Sequence, residues 1–183
     1  MKKILMLVVA LVTVGCAEQV PVNRDTLVQQ GDLFLDRETM TPYTGPVFSF
    51  MIDDTSKVGE SGFLRDGELD GPYLFYHLNN QLNVRYSYSN GVLDGPSEYY
   101  SDNGQLNVRY SYSNGELDGP RESYHENGQL RGKGSYSNGE LDGPHEYYDE
   151  NGELGAKGHY DMGDRCGEWI EDGEPITYPP CPE

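Results

Sequence analysis

The chain is expected to be all-β, an array of tandem β-hairpins rather than a globule around one large core, and three features carry that expectation. A 24-residue phrase recurs, marked by Gly67, Gly91, Gly115, Gly139 and Gly163. Inside it, runs such as 105–113 alternate polar and apolar residues without a break, the period of a half-buried strand. Asn103-Gly104, Asn127-Gly128 and Asn151-Gly152 separate those runs, and Asn-Gly between alternating runs is the strongest short hairpin signal. A unit this small cannot bury a core alone, so neighbouring units must cover one another.

Residues 1–15 have the build of an export signal: Lys2 and Lys3, then the apolar run 4–14, too short to span a bilayer. Gly15-Cys16 resembles the lipobox of bacterial lipoproteins, which implies that Cys16 becomes a lipidated first residue; cleavage after Ala17 is the alternative. Residues 16–32 show no periodicity, and Pro21, Asn23, Gln29 and Gln30 suit a flexible tether. The array is expected over 33–183, in about six units. Its first unit is irregular, because Gly45-Pro46 stands 26 residues before Gly71-Pro72. A cap is expected from about residue 163, where Trp169 is the only tryptophan and Pro175, Pro179 and Pro180 end strand propagation.

Setting Cys16 aside leaves Cys166 and Cys181, for which an oxidising compartment favours a disulfide at the open end of the array; two free thiols are the alternative. Of the formal charge of −18, the signal removes only basic residues, leaving eleven basic against 31 acidic groups, or −20. Such a surface repels nucleic acid and anionic lipid head groups, and it would draw a basic protein partner or a divalent cation, although solubility alone explains charge of this kind.

A two-residue type I′ turn at Asn103-Gly104 sets a register by counting outward: Tyr99 faces Val108, Ser101 faces Leu106, and Glu98 meets Arg109 on the opposite face. The same count gives Glu122 with Lys133 and Glu146 with Lys157. Leu82, Leu106, Leu130, Leu154 and Tyr88, Tyr112, Tyr136, Tyr160 then share one face. A second tyrosine column, Tyr76, Tyr100, Tyr124 and Tyr148, falls on the other face with the charge pairs, and it is the candidate partner-binding row. Gly132, Gly134 and Gly158 replace apolar strand residues, which implies close backbone approach or sharper curvature.

No residue spacing assembles a catalytic site, so no catalytic residue, cofactor or metal is assigned. His77, His125, His145 and His159 are placed at different repeat positions, which argues against a shared metal column. The acidic corners around Glu116-Leu117-Asp118 and Glu140-Leu141-Asp142 lack the spacing of a calcium loop.

Segments 98–106 and 112–119 resemble the bacterial variant of the MORN repeat, and 33–47 is similar to the start of the YwqK-type antitoxin-like proteins. The resemblance implies β-hairpins in one elongated, twisted, single-layer antiparallel sheet that serves as a scaffold or protein-binding surface. It also implies a second reading, an antitoxin-like or immunity protein that occludes a toxic partner. The expectation is therefore a non-enzymatic lipoprotein of the bacterial cell envelope, touching the membrane through its lipid alone.

Overall fold

Each 24-residue phrase folds as one hairpin and a short return strand in the computed structural model, which describes residues 19–182. The chain opens with β1 (Val22–Asn23), a 3-10 turn over Arg24–Thr26, β2 (Val28–Gln30) and β3 (Leu33–Leu35). Six hairpins follow: β4 (Gly45–Phe50) with β5 (Val58–Arg65), β7 (Gly71–Tyr76) with β8 (Leu82–Ser89), and β10 (Gly95–Tyr100) with β11 (Leu106–Ser113). Then come β13 (Gly119–Tyr124) with β14 (Leu130–Ser137), β16 (Gly143–Tyr148) with β17 (Leu154–Asp161), and β18 (Asp164–Glu171) with β19 (Glu174–Thr177). The two-residue strands β6 (Glu68–Leu69), β9 (Val92–Leu93), β12 (Glu116–Leu117) and β15 (Glu140–Leu141) fold back on the hairpin before them. The result is one open sheet of 17 strands, antiparallel except where β1 runs parallel to β4, with β2 and β3 forming a separate pair. No α-helix occurs among the described residues.

The two kinds of turn divide the work differently from the sequence expectation. Type I′ geometry needs positive φ at both central residues, and it is found at Asn90-Gly91 (48°, 77°), Asn114-Gly115 (50°, 88°) and Asn138-Gly139 (49°, 88°). Asn103-Gly104 is not such a turn, because only Gly104 has positive φ, at 85°. There the Ser101 carbonyl accepts from the Gly104 N–H, the Ser101 N–H donates to Gln105, and the Asn103 side chain accepts the Gln105 N–H at 2.9 Å. This is a three-residue loop with glycine in the left-handed position. A bulge at Asn107 follows, so Leu106 faces Tyr100 rather than Ser101, while Tyr99 faces Val108 and Glu98 faces Arg109.

Stacked turns tie the units along one long edge. The amide of each I′ glycine, Gly67, Gly91, Gly115, Gly139 and Gly163, donates to a carbonyl one unit earlier, Tyr43, Leu69, Leu93, Leu117 and Leu141 respectively, each at 2.8 Å. On the opposite edge, side chains do the same work. His77 Nε2 meets the Tyr100 carbonyl and His125 Nε2 that of Tyr148, while Asn79 and Asn127 donate to Asp102 and Glu150. His77 and His125 thus share one repeat position, 48 residues apart, contrary to the sequence expectation.

One face carries the aromatic rings, edge to face along the array: Tyr86–Tyr99 at 5.8 Å, Tyr99–Tyr110 at 6.0 Å, His145–Tyr160 at 4.8 Å and Tyr160–Trp169 at 5.1 Å. Its most hidden position is the residue two after the corner glycine. Val47, Tyr73, Ser97, His145 and Trp169 are exposed by only 2, 3, 0, 1 and 0%, and Arg121 occupies the position in the fourth unit.

Each of these residues from Tyr73 onward stands opposite the residue eleven places earlier, across the junction between hairpins, and the sizes are matched. Tyr73, His145 and Trp169 cover Gly62, Gly134 and Gly158, where a Cβ would come within 2.2, 2.1 and 2.0 Å of the ring. Ser97 is small beside Tyr86, and Arg121 extends over Tyr110 at 5.9 Å. The glycines in the strands therefore mark close approach of a bulky neighbour.

Residues 19–32 are not a loose tether. Val22 and Asn23 pair with Val47 and Phe48, and Gln19 donates to the Thr44 carbonyl. Arg24 pairs with Glu60, bonds the Tyr73 hydroxyl and lies 5.7 Å over Phe34, so a single long cation fastens the segment to the first hairpins. Those partners lie far along the chain, where local composition gives no sign of them.

At the other end Cys166 and Cys181 form a disulfide, with Cα atoms 4.9 Å apart. Arg165 lies 4.3 Å over Trp169, Tyr178 packs on the same indole, and the Tyr178 N–H donates to Gly167.

Candidate partner-binding face

On the face opposite the aromatic stack, the strand register lines up one residue from each of seven neighbouring strands. Arg85, Glu98, Arg109, Glu122, Lys133, Glu146 and Lys157 form a ladder of alternating charge. Arg109 Nη2 and Nε donate to Glu98 at 2.9 and 3.1 Å, and its Nη1 reaches Glu122 at 3.4 Å. Arg85 lies 3.8 Å from Glu98.

The expected alignments of Glu122 with Lys133 and Glu146 with Lys157 are present in the register, but the ion pairs choose otherwise. Lys133 binds Glu146 of the next hairpin at 2.8 Å, and Lys157 has no carboxylate within 4.0 Å among the described residues. Strands on either side are equally close, so Arg109 and Lys133 each stand between two glutamates with no reason to prefer their own hairpin.

The tyrosine column stands beside this ladder. Tyr100 and Tyr124 donate to Glu98 and Glu122, both at 2.8 Å, and Tyr148 donates to Glu146. Each bond joins residues two apart on one strand, which places both side chains on one face. Tyr76 breaks the pattern, because Leu74 stands where the glutamates do, and its hydroxyl lies 3.2 Å from Ser61.

Burial pushes the Glu98 carboxyl up, but hydrogen bonds from Tyr100 and Arg109 and the adjoining guanidinium charges outweigh it and hold the group below its ordinary range. For Glu146 the Lys133 and Tyr148 bonds lead, with the same result. Burial, then the Glu98 bond, raises Tyr100, while the Glu146 bond leads for Tyr148. The rings therefore stand in fixed orientation, half-buried, with their hydroxyls already engaged.

Toward the N-terminus the same face turns apolar, with Phe48 and Phe50 in edge contact at 5.2 Å and Leu74 beside the ladder's first cation. On the aromatic face an open groove of 540 Å³ is lined by Val108, Tyr110, Arg121 and Ser123 among others. Neither feature is legible from local pattern, since both depend on which strands become neighbours. Cys16 lies outside the described residues. Among those described, no group of three His, Cys, Asp or Glu side chains is placed to hold a metal, and no helix is long and apolar enough to cross a membrane.

Comparison with known proteins adds a family. The model described as the MORN repeat variant matches residues 69–90, 93–114, 117–138 and 141–162. No curated protein matches the chain. Among solved structures, a chain of the GtfA/B complex bound to UDP and GlcNAc aligns with 60% of this chain and 22% of its own length, at 13% identity and a TM-score of 0.27. Each family match runs from the last residue of a return strand through one hairpin to the first residue of the I′ turn that follows it. The stretch 69–162 thus carries four tandem copies of the MORN repeat variant.

Proposed function

We propose that the array is a non-enzymatic protein-binding or scaffold module, exported to the bacterial cell envelope and anchored by lipid at Cys16. The observation that carries the binding role is the ladder face: seven charged residues and three glutamate-held tyrosines, ordered before any partner arrives. Rigid aromatic area costs little conformational entropy when a partner docks, and anchors of this type dominate interfaces.

The test is Tyr100→Ser with Tyr124→Ser, comparing capture of envelope proteins with thermal melting. Capture lost with the melt unchanged supports docking on this face; a collapsed melt makes these tyrosines structural and removes the assignment. The anchor rests on the apolar run 4–14 ahead of Gly15-Cys16. Cys16→Ser should release the protein from membranes, and an unmodified terminus in the mature chain would overturn the lipid. A mature charge of −20 also suits a second reading, occlusion of a basic toxic partner, which recovery of such a toxin with the wild-type face would select.

A further inference from the structure

We propose that His145 is an acid-sensitive latch between the repeat array and its C-terminal cap. The ring occupies the most hidden position of its unit, 1% exposed, with Gly134 of β14 on one side and Gly158 of β17 on the other. Gly158 is also the residue that Trp169 of the cap covers, and Tyr160 lies edge-on between the two rings, 4.8 Å from His145 and 5.1 Å from Trp169. The cap is therefore seated on the imidazole through one glycine and one tyrosine. Neither ring nitrogen has a hydrogen-bond partner.

A proton added to this ring would find no counter-charge. The titratable groups around it are Arg121 from β13, across Gly134 on the same face, and His159 from β17 on the other face of the sheet, both cations when charged, with Tyr147 on its own strand and the Tyr160 ring beside it; β14 brings the backbone of Gly134. Burial holds the imidazole below its ordinary value of 6.5, and only the nearby Gly143 backbone pulls the other way. Above that pH both the seated and the opened junction carry a neutral ring, and the seat keeps its full stability. As pH falls below it, the freed ring of the opened state takes up a proton that the seated ring refuses, so the closed form loses ground by up to tenfold per pH unit. Opening exposes Trp169 and the edge of β17, while the disulfide keeps the C-terminal tail with β18.

The sole tryptophan reports the event. Trp169 emission is followed from pH 7.5 to 4.5, with hydrogen exchange of β18 and β19 measured in parallel. The wild type should shift to the red and exchange faster below about pH 6.5, with the β-sheet signal of the remaining units retained. His145→Phe, and His145→Tyr, which copies the Tyr73-over-Gly62 pair, should hold Trp169 buried across the range; His159→Gln should behave as wild type. A flat wild-type profile, the same shift in both His145 variants, or loss of the shift in His159→Gln would each overturn the latch. Two His145 variants guard against one that fails to pack.

Discussion

Gly158 and Gly139 are both glycines of the array, yet they are glycine for different reasons. A methyl at Gly158 would lie 2.0 Å from the Trp169 ring, whereas Gly139 has open space but a φ of +88°. Gly158→Ala is expected to cost about 1–3 kcal/mol by overpacking and to alter Trp169 emission. Gly139→Ala should cost about 1–2 kcal/mol by backbone strain and leave the emission untouched. Melting and fluorescence on the two variants separate the mechanisms. At Glu98, removing the charge leaves two guanidinium groups short of a partner. Glu98→Gln should lower stability by about 0.5–1.5 kcal/mol near neutral pH. Because the native carboxyl is held below its ordinary range, its contribution is present above the unfolded value of 4.5 and is lost as pH falls below it, so melts of the two proteins should converge in acid.

At the scale of the hairpin, the two Asn-Gly turns are chemically alike in sequence and distinct in structure. Asn114 itself sits at φ 50°, so Asn114→Ala should cost about 1 kcal/mol; Asn103 does not, and Asn103→Ala should cost only the exposed bonds from the Gln105 N–H and the Ser101 hydroxyl, about 0.5 kcal/mol. Chemical denaturation of the single variants checks the ranking. This distinction explains why the register was legible in the sequence although the turn was not. Counting from a two-residue loop misplaces Leu106 by one residue, and the bulge at Asn107 then shifts the strand back, so that Val108, Arg109 and Tyr110 fall where the count put them. Two irregularities of opposite sign cancel, which is how both tyrosine columns came out on the correct faces. What alternation cannot show is which hairpin a side chain will choose across a junction; Lys133 selecting Glu146, and Arg24 reaching Glu60 and Tyr73, are decided by strand neighbours that no local pattern names.

Across the whole molecule, apolar burial gathers at the two ends: Leu35, Val47, Leu64 and Tyr73 at one, Cys166 and Trp169 at the other. The interior is held by backbone ladders and half-buried rings, and the ends keep it from fraying. Pro175 reinforces this at the last strand. Counting back from the bonded Gly167 and Tyr178, it occupies a position whose N–H would point outward, so the exposed edge lacks that donor. Reduction of the disulfide should loosen the tail and speed exchange in β18 and β19 before the middle units respond; the 15-residue loop corresponds to about 3 kcal/mol. The matched pairs eleven residues apart also make the array a ruler whose marks can be removed only at certain places. Each unit adds two strands, about 10 Å of length. Excising 93–116 would bring Arg121 over Tyr86, repeating its present seat on Tyr110, and a folded protein shorter by that one step should result. Excising 117–140 would set His145 over Tyr110 in place of Gly134, and that chain should melt well below the first despite its equal length. Scattering profiles and melting curves of the two deletions would show whether reach in this protein is inherited in whole units, and at which joints a lineage could lengthen or shorten it without rebuilding its ends.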